Sequence, residues 1–414
     1  MSEVFDLSLA PSGERKMAWA WRYMPLLQSI AADFDKDKPL RGLTVAVSLH
    51  IEAKTANLCR LLQRGGADVH VTGCNPLSTQ DDVAAALASG MDVHTVHGCS
   101  KADYDRFILA VLDSKPDLII DDGGDLVGAL HLQRQELIPK LIGGCEETTT
   151  GVVRLRAMEA EGALRFPMID VNDAQCKHFF DNRYGTGQSV WDGINRATNL
   201  IVAGKTVVVA GYGWCGRGIA LRAKGQGARV IVTEIDPVKA IEAVMDGYDV
   251  MTMDEAAPLG DVFITATGCR DVITSRHFSK LRDGALLSNG GHFNVEIDVE
   301  SLEKEAVKTI PGRTDTTKGY VLPNGKTVFV IAEGRLVNLA SGDGHPVEIM
   351  DMSFAIQALS AAYLAKHREL ASAVHAVPQE IDTEVARRWL KAAGKEIDEL
   401  TEAQQRYLGS WGTM

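Results

Sequence analysis

The chain has 414 residues, 45% of them hydrophobic, and a formal net charge of −12. This length predicts two to three domains, and the acidic excess argues against nucleic acid as the main partner, because phosphate binding needs a basic face. No stretch approaches the roughly 18 apolar residues of a membrane span, and the N-terminus lacks a signal peptide. The seven cysteines form no C-x-x-C pair and suit free thiols. We therefore expect a cytoplasmic protein with no membrane partner.

The first half alternates segments typical of helices and of strands. Residues 14–34 carry an apolar face and predict one helix, residues 42–50 predict a strand, and residues 53–64 predict a second helix. Residues 68–73 and 117–122 predict further strands. Such alternation predicts an α/β domain built on a doubly wound parallel sheet.

Polar side chains gather where the predicted strands end. His50 and Asp122 follow two strands of the first half, and Lys177 and Asp181 would share one helix face. Each group alone also fits an ordinary turn, a surface salt bridge or a core histidine. Because ligands of parallel sheets bind beyond the carboxyl ends of the strands, the groups together predict a site in an interdomain cleft. Further polar groups of this kind are Glu147, Asn182, His292, Asn338 and His345.

A glycine-rich turn follows the β-branched run over 205–210. Gly211, Gly213 and Gly216 have the spacing that allows a tight turn, the approach of a pyrophosphate and close packing of the next helix. The next predicted strand ends at Glu234, 18 residues after the last glycine, near the roughly 20 expected of the carboxylate that holds the ribose. A carboxylate there repels a 2′-phosphate, so we predict a Rossmann domain for NAD. An ordinary α/β turn with packing glycines is the alternative.

The order of these segments predicts three regions. Residues 1–185 form a substrate-binding domain to which residues 343–375 return, and residues 186–342 form the Rossmann NAD-binding domain. Residues 376–414 are charged and helical in pattern, and we expect them to form a small C-terminal oligomerisation segment.

Metal binding is a rival interpretation for three of the polar groups. His50, Asp122 and Glu147 are all competent ligands. No His-x-x-x-His or cysteine-rich spacing supports a metal site, so none is predicted.

Read in order along nearly the whole chain, the polar segments resemble one family, the S-adenosyl-L-homocysteine hydrolases. The matching segments are Ser48-Leu-His50, Asn75-Pro-Leu-Ser-Thr-Gln-Asp81, Asp121-Asp-Gly-Gly-Asp125, Glu146-Glu-Thr-Thr-Thr-Gly151, Lys177-His-Phe-Phe-Asp-Asn182, Gly211-Tyr-Gly213, Glu234-Ile-Asp-Pro237, Gly291-His-Phe-Asn-Val-Glu-Ile-Asp298 and Gly344-His-Pro346. This combination is far more specific than the glycine turn alone.

The resemblance implies a fold of two α/β domains and a reversible hydrolysis of S-adenosyl-L-homocysteine to L-homocysteine and adenosine, with tightly bound NAD. The ribose 3′-hydroxyl would be oxidised to a ketone, which acidifies the C4′ proton and lets the 5′-thioether leave. Water would then add at C5′, and the ketone would be reduced again. The resemblance also implies a small-molecule nucleoside thioether as substrate and a homotetramer.

By the same resemblance, six residues are expected to carry the chemistry. Lys177 matches the general base, and a closed cleft is expected to lower its pKa. Glu147 and Asp181 match groups that hold the ribose hydroxyls, and His50 and Asp122 match the pair that handles the C4′ proton and the 5′ group. The sixth is the cleft histidine His292.

Two further sets are implied to line the cleft. The residues matched to substrate contacts are Glu52, Lys54, Thr55, Asp343, His345, Met350 and Phe354. The residues matched to cofactor contacts are Thr148, Thr149, Thr150, Asn182, Gly211, Gly213, Gly216, Glu234, Lys239, Thr267 and Asn338.

The chain departs from the family pattern at the base-binding end. The family carries a threonine and a glutamate facing the adenine amino group, where this chain has Glu52 and Lys54. A lysine can only donate, which suits the carbonyl oxygen of hypoxanthine, and Asp343 makes the pocket more polar. One hypothesis is that S-inosyl-L-homocysteine is accepted or preferred. The alternative is that Lys54 pairs with Glu52 or a solvent group while adenine still binds.

Two other departures concern the cofactor. The family's C-terminal Lys-Pro-Asp-His-Tyr-Arg-Tyr tail is absent, and Lys239 replaces an asparagine that touches the adenosine ribose. Both predict NAD that exchanges more readily. A plain NAD-dependent dehydrogenase and a non-catalytic homologue that binds a nucleoside or a partner are the rival functions. The dehydrogenase would not need the acidic and threonine-rich first domain, and the homologue would not need Lys177 and Asp181.

Overall fold

The computed structural model describes residues 2–412. Its strands, in chain order, are β1 (Thr44–Leu49), β2 (Asp68–Gly73), β3 (Asp92–His94), β4 (Leu118–Asp121), β5 (Gly143–Glu146), β6 (Met168–Asp170), β7 (Thr206–Ala210), β8 (Arg229–Thr233), β9 (Asp249–Val250), β10 (Val262–Thr265), β11 (Ala285–Asn289), β12 (Lys308–Pro311), β13 (Thr317–Val321), β14 (Thr327–Ile331) and β15 (Val374–Ala376).

The α-helices are α1 (Ala10–Arg22), α2 (Pro25–Asp37), α3 (Ala53–Arg64), α4 (Asp81–Leu87), α5 (Lys101–Leu112), α6 (Asp125–Leu132), α7 (Thr149–Ala160), α8 (Gln175–Lys177), α9 (Thr186–Thr198), α10 (Trp214–Gly225), α11 (Pro237–Met245), α12 (Met253–Ala256), α13 (Ser275–Phe278), α14 (Val299–Glu305), α15 (Val337–Ala340), α16 (Val347–Lys366), α17 (Gln379–Ala392) and α18 (Glu402–Leu408). A π-helical segment spans His178–Gly185, and short 3₁₀ helices span Leu7–Leu9, Gln135–Lys140 and Ala332–Gly334.

Two sheets organise the chain. The first has the order β15-β6-β5-β4-β1-β2-β3, and all of its pairings are parallel. The second has the order β12-β13-β14-β11-β10-β7-β8-β9. Each sheet carries an apolar cluster on both faces, so both are doubly wound and buried between helices. The predicted fold class, two α/β domains with a Rossmann-like second unit, is confirmed.

One edge of the second sheet is not parallel. β13 pairs antiparallel with both β12 and β14. The connection from Val321 to Thr327 is too short for a crossover helix, and its Pro-Asn-Gly sequence favours a turn. The strand order therefore ends in a meander that the sequence analysis did not predict.

The predicted single helix over 14–34 is wrong, because the chain breaks it into α1 and α2. Met24 has φ −119° and ψ 62°, outside the helical range, and Pro25 begins α2. A proline lacks the backbone N–H that would continue α1 and disfavours the helical conformation of the residue before it. The apolar positions nevertheless pack into the first core, as the periodicity indicated.

The chain crosses between the sheets twice and returns to the first one. α9 packs Val190 and Trp191 into the core of the second sheet, and β15 later pairs with β6 at the edge of the first sheet. α17 follows and buries Ile381 and Val385 beside α16 and α2. Residues 393–412 are exposed; the last two residues of the predicted C-terminal segment lie outside the described ones. None of the helices described in residues 2–412 combines the length and the apolar run needed to cross a bilayer.

Asp351, on α16, caps the start of α2 from inside the first core. Its carboxylate accepts hydrogen bonds from the backbone N–H groups of Leu26 and Leu27, both at 2.9 Å, and burial raises its pKa to about 7. We expect Asp351→Ala to lower the free energy of unfolding by about 2 kcal/mol, because two buried donors lose their acceptor. Urea denaturation measures this. Glu348→Ala, on the exposed side of the same helix, should change it by less than about 0.5 kcal/mol, and equal effects would refute the capping role.

Candidate functional site

The carboxyl ends of β1 and β4 bring two predicted residues together. His50 Nε2 lies 3.4 Å from Asp122 Oδ2, and His50 Nδ1 lies 2.7 Å from the hydroxyl of Ser78. Burial lowers the pKa of His50 to about 4, against the opposing effect of Asp122. The imidazole is therefore neutral at pH 7 and able to accept a proton.

A buried lysine lies among four polar side chains on the other side of this edge. Lys177 Nζ donates to Asn182 Oδ1 at 2.8 Å and to Asn172 Oδ1 at 3.3 Å. It also lies 3.7 Å from Glu147 Oε1 and 3.7 Å from Asp181 Oδ2. The predicted proximity of Lys177 and Asp181 is real, although the turn between them is π-helical.

The expected lowering of the Lys177 pKa does not occur in this site. Burial acts to lower the pKa, but the carboxylates of Asp181, Glu147 and Asp122 outweigh it and raise the pKa to about 12. The expectation from the sequence took the burial of Lys177 in a closed cleft into account, but not the number of carboxylates around its ammonium. For Glu147, burial dominates and raises the pKa to about 7, against the opposing effect of Lys177. The group ready to take up a proton near neutral pH is thus Glu147.

Two residues of α16 orient the carboxylates, and sequence reasoning missed both. Ser353 Oγ donates to Asp181 Oδ2 at 2.6 Å, and Gln357 Nε2 donates to Glu147 Oε2 at 2.5 Å. Both are fully buried. Their four-residue spacing on one helix face, next to the predicted Met350 and Phe354, was the available signal. Cys74 and Asn172 were missed as well.

Two histidines join the halves of the cleft. His292, after β11, lies with its Nδ1 3.8 Å from Asp122 Oδ1. A Cβ on Gly123 would lie 2.6 Å from His292 Nε2, so a glycine is needed for this approach. His345 hydrogen-bonds Asp181 through Nδ1 and lies 3.3 Å from the hydroxyl of Thr186 through Nε2. Both predicted histidines therefore belong to the site.

Glu52 and Lys54 form a buried ion pair at the start of α3. Lys54 Nζ contacts the carboxylate of Glu52 and donates to the main-chain oxygen of Asp343 at 2.7 Å. The Asp343 carboxylate itself is 82% exposed and faces Arg196, so the expectation that this side chain makes the base pocket polar stays a prediction. The predicted Thr55, Met350 and Phe354 are buried.

A cavity of about 420 Å³ lies next to these groups. The first unit contributes Ser78 and Gln80, and the second contributes Leu339 and Ser341. Residues of both units therefore line this cavity, and of the predicted site residues Asp343 is in its lining.

The glycine turn after β7 has the geometry of a dinucleotide loop. Gly211 has φ +94°, in the left-handed region, and a Cβ on Gly216 would lie 1.9 Å from the Gly211 oxygen. A Cβ on Gly213 would meet nothing within 4 Å, which leaves open space beside the N-terminus of α10. These are the three roles that the spacing predicts, and the helix amides can bind a pyrophosphate. Glu234 directly follows β8, and its carboxylate accepts a hydrogen bond from the backbone N–H of Tyr212 at 2.6 Å.

The lysine cluster and the glycine turn are neighbours. His178, which follows Lys177, stacks on Trp214 with ring centroids 5.2 Å apart, and Trp214 is the first residue of α10. Asn338 is buried, and its Nδ2 donates to Ser189 at 3.1 Å while its Oδ1 has no hydrogen-bond partner. The remaining residues matched to the cofactor are half-buried or exposed at the rim of this cleft: Thr148, Thr149, Thr150, Lys239 and Thr267.

A two-domain α/β enzyme with a dinucleotide loop beside a buried titratable cluster is the class that this fold and site define. Residues 182–344 match the family described as S-adenosyl-L-homocysteine hydrolase, NAD binding domain. Residues 2–140 match the family described as S-adenosyl-L-homocysteine hydrolase. The chain belongs to this family, and its cofactor is NAD.

Full-length relatives agree on the family and differ in the base that their names carry. A Methanosarcina mazei protein named S-inosyl-L-homocysteine hydrolase is 58% identical over 98% of both chains. A Methanocaldococcus jannaschii protein of that name is 56% identical over 99% of both chains. A Thermotoga maritima protein named adenosylhomocysteinase is 58% identical over 97% of this chain and 99% of its own.

Solved structures of low identity share the fold. A dipicolinate synthase from Bacillus halodurans superposes with a TM-score of 0.50 at 13% identity, over 79% of this chain and 99% of its own. At that identity the likeness concerns the two-domain α/β architecture alone.

Proposed function

We propose that this protein hydrolyses an S-nucleosyl-L-homocysteine reversibly to L-homocysteine and the free nucleoside, with hypoxanthine as the preferred base. The observation that carries the reaction is the buried Lys177 ammonium held between Glu147 and Asp181, beside the dinucleotide loop. The chemistry that NAD would supply when bound is to accept a hydride from the 3′ carbon of the substrate and to return it later. The residues of the chain bind the ribose, move the protons and exclude water.

The lysine cluster is suited to the proton of the ribose 3′-hydroxyl. The Lys177 ammonium stabilises negative charge on the 3′ oxygen, and Glu147 accepts the proton because its raised pKa is matched to neutral pH. Asp181 is held in place by Ser353 and His345 and accepts a second ribose hydroxyl. This assignment exchanges the expected roles of Lys177 and Glu147.

The pair of His50 and Asp122 is suited to the second half of the reaction. The neutral imidazole of His50 takes up the C4′ proton, or, once it is protonated, donates a proton to the departing sulfur. Asp122 orients the imidazole ring. His292 comes from the other unit and completes the enclosure. Exclusion of water protects the 3′-keto stage of the substrate.

The rate should depend on the ionisation of Glu147. Only the carboxylate accepts a proton, so kcat/KM should fall as the pH drops through about 7, the raised pKa of this group. In Glu147→Gln, the activity that remains should no longer fall as the pH drops through this range. A wild-type profile that stays flat between pH 5.5 and about 8.5 would contradict the assignment.

Thiol release tests the reaction and the base at once. Purified protein is given S-inosyl-L-homocysteine or S-adenosyl-L-homocysteine, and homocysteine thiol and NADH absorbance are followed. We expect thiol without net NADH, and faster release from the inosyl substrate. Stoichiometric NADH would support a dehydrogenase, and no thiol from either substrate would support a non-catalytic homologue.

The base preference rests on Lys54. A buried ammonium donates to the hypoxanthine carbonyl oxygen, whereas adenine offers an amino group at that position. Lys54→Gln should lower kcat/KM for the inosyl substrate by about 10- to 100-fold, the worth of one charged hydrogen bond, with a smaller loss for the adenosyl substrate. Lys101→Gln, which changes an exposed lysine of the same unit, should leave both values unchanged.

The second candidate is adenine, and one contact favours it. Lys54 already pairs with Glu52, so Glu52 and Lys54 together offer an acceptor and a donor that also fit the adenine amino group and N1. Equal losses for both substrates in Lys54→Gln, together with faster wild-type turnover of the adenosyl substrate, would establish this candidate instead.

We also propose that the enzyme is a cytoplasmic homotetramer. All seven cysteines are free thiols, which suits a reducing compartment. Exposed apolar side chains favour association with further copies: on and beside α11 they are Ile235, Val238, Ile241 and Met245, and in the tail they are Tyr407, Leu408 and Trp411. A monomer in sedimentation equilibrium would refute the assembly.

A further inference from the structure

Within residues 2–412, one set of histidine, cysteine and carboxylate side chains converges on a common point. It consists of His50, Cys74 and Asp122, whose ligand atoms all lie within 4.8 Å of one another. They follow β1, β2 and β4, three adjacent strands whose carboxyl ends meet at one edge of the first sheet. Their wide separation along the chain explains why residue spacing did not reveal the set.

The three side chains lie close enough together to share one ion. Cys74 Sγ lies 3.2 Å from His50 Nδ1 and 3.6 Å from Asp122 Oδ2. The other ring nitrogen, His50 Nε2, lies 3.4 Å from Asp122 Oδ2, and an imidazole binds an ion through one of its two nitrogens. Ligand atoms at the corners of a zinc tetrahedron are roughly 3.3 to 3.7 Å apart, given bonds of about 2.0 to 2.3 Å. With one nitrogen from His50, the three ligand atoms lie within 4.8 Å of one another and would move closer together around an ion.

The carboxylate of the set has one oxygen that is still available for a further interaction. Asp122 is 5% exposed, and its Oδ1 has no hydrogen-bond partner. His292 Nδ1 lies 3.8 Å from this atom. A buried carboxylate oxygen without a hydrogen bond favours a cation.

We propose that His50, Cys74 and Asp122 bind a zinc-class divalent ion, and that the bound ion inhibits the enzyme. Thiolate and imidazole ligands select Zn²⁺ or Co²⁺ over Mg²⁺ and Ca²⁺, which prefer oxygen. The thiol proton passes to solvent when the sulfur coordinates, and no electron is transferred. The binding stands on geometry alone. The inhibition rests on the proposed function, since His50 and Asp122 act on the C4′ proton there and cannot do so while they hold a metal.

Cobalt is the probe for binding, because a thiolate ligand gives Co²⁺ a charge-transfer absorption in the near ultraviolet. Full-length protein, as purified with its NAD, is titrated with Co²⁺. We expect one equivalent to produce the band, and excess Zn²⁺ to abolish it. Cys74→Ser should lose the band and bind Co²⁺ at least about tenfold more weakly, whereas Cys99→Ser, a half-buried thiol of the same unit, should retain both. A band that persists in Cys74→Ser, or none in the wild type, overturns the site.

Inhibition is measured separately from binding. Each variant is compared with its own metal-free rate of thiol release, with and without Zn²⁺, and a chelator is then added. We expect reversible inhibition in the wild type and Cys99→Ser, competitive with substrate, and at least tenfold more Zn²⁺ needed in Cys74→Ser. Equal sensitivity of all three refutes inhibition at this site. A cobalt band without any turnover would instead refute the proposed function and leave the metal site supported.

Discussion

Lys177→Met is expected to lower the rate of thiol release by about a thousandfold. The substitution keeps the length of the side chain and removes the ammonium that, in the proposed reaction, stabilises charge on the 3′ oxygen. The loss of such a charge from a water-excluded site costs about 3 to 4 kcal/mol of transition-state stabilisation. It also leaves Glu147 and Asp181 facing each other without a cation, so their pKa values rise and the proton acceptor is lost.

Two controls separate chemistry from folding in this variant. Breaking a buried ion pair destabilises a protein, so NAD binding and the unfolding midpoint are measured beside the rate. Lys366→Met changes an exposed lysine at the end of α16 and should leave all three unchanged. If Lys177→Met retains NAD and turns over within tenfold of the wild type, Lys177 does not act on the 3′ oxygen.

Gly216→Ala is expected to weaken NAD binding by at least about a hundredfold. The added Cβ would lie 1.9 Å from the Gly211 oxygen, far inside contact distance. This oxygen belongs to the backbone, so no side-chain rotation can relieve the clash. α10 must then move away from β7, and its N-terminal amides leave the position at which they meet a pyrophosphate. Quenching of protein fluorescence by added NAD measures the affinity.

The same helix offers the matched control. Gly225 lies in the last turn of α10, and a Cβ there would meet nothing within 4 Å. Gly225→Ala should bind NAD as the wild type does and gain a little stability from helix propensity. Equal affinities in Gly216→Ala and Gly225→Ala would contradict the role assigned to the glycine turn.

Weaker retention of NAD, expected from Lys239, stays a prediction. Lys239 Nζ lies 3.4 Å from Asp236 Oδ2 and its side chain is 43% exposed. The Lys239 ammonium therefore already has a carboxylate partner three residues away. Readily exchangeable NAD remains the expectation, and survival of bound NAD through extensive dialysis would count against it.

The sequence alone determined the fold class, the cofactor turn and most members of the site. These are local signals: β-branched runs form buried strands, glycine is required where a Cβ would lie 1.9 Å from a backbone oxygen, and parallel strands bring their carboxyl ends to one edge. The positions of His50 and Asp122 followed from this rule, whereas Lys177 was found by its helical spacing to Asp181 and Glu147 by the polar segment that resembles the family.

The tertiary structure alone decided the charge states and the partners. The pKa of Lys177 depends on how many carboxylates surround it, and the orientation of Glu147 depends on Gln357, 210 residues away. Cys74 joins His50 and Asp122 only because three strands lie side by side. The electrostatic effect on a buried group is the sum of its interactions with all nearby charges, and each interaction depends on a distance in space. The spacing of residues along the chain does not encode these distances.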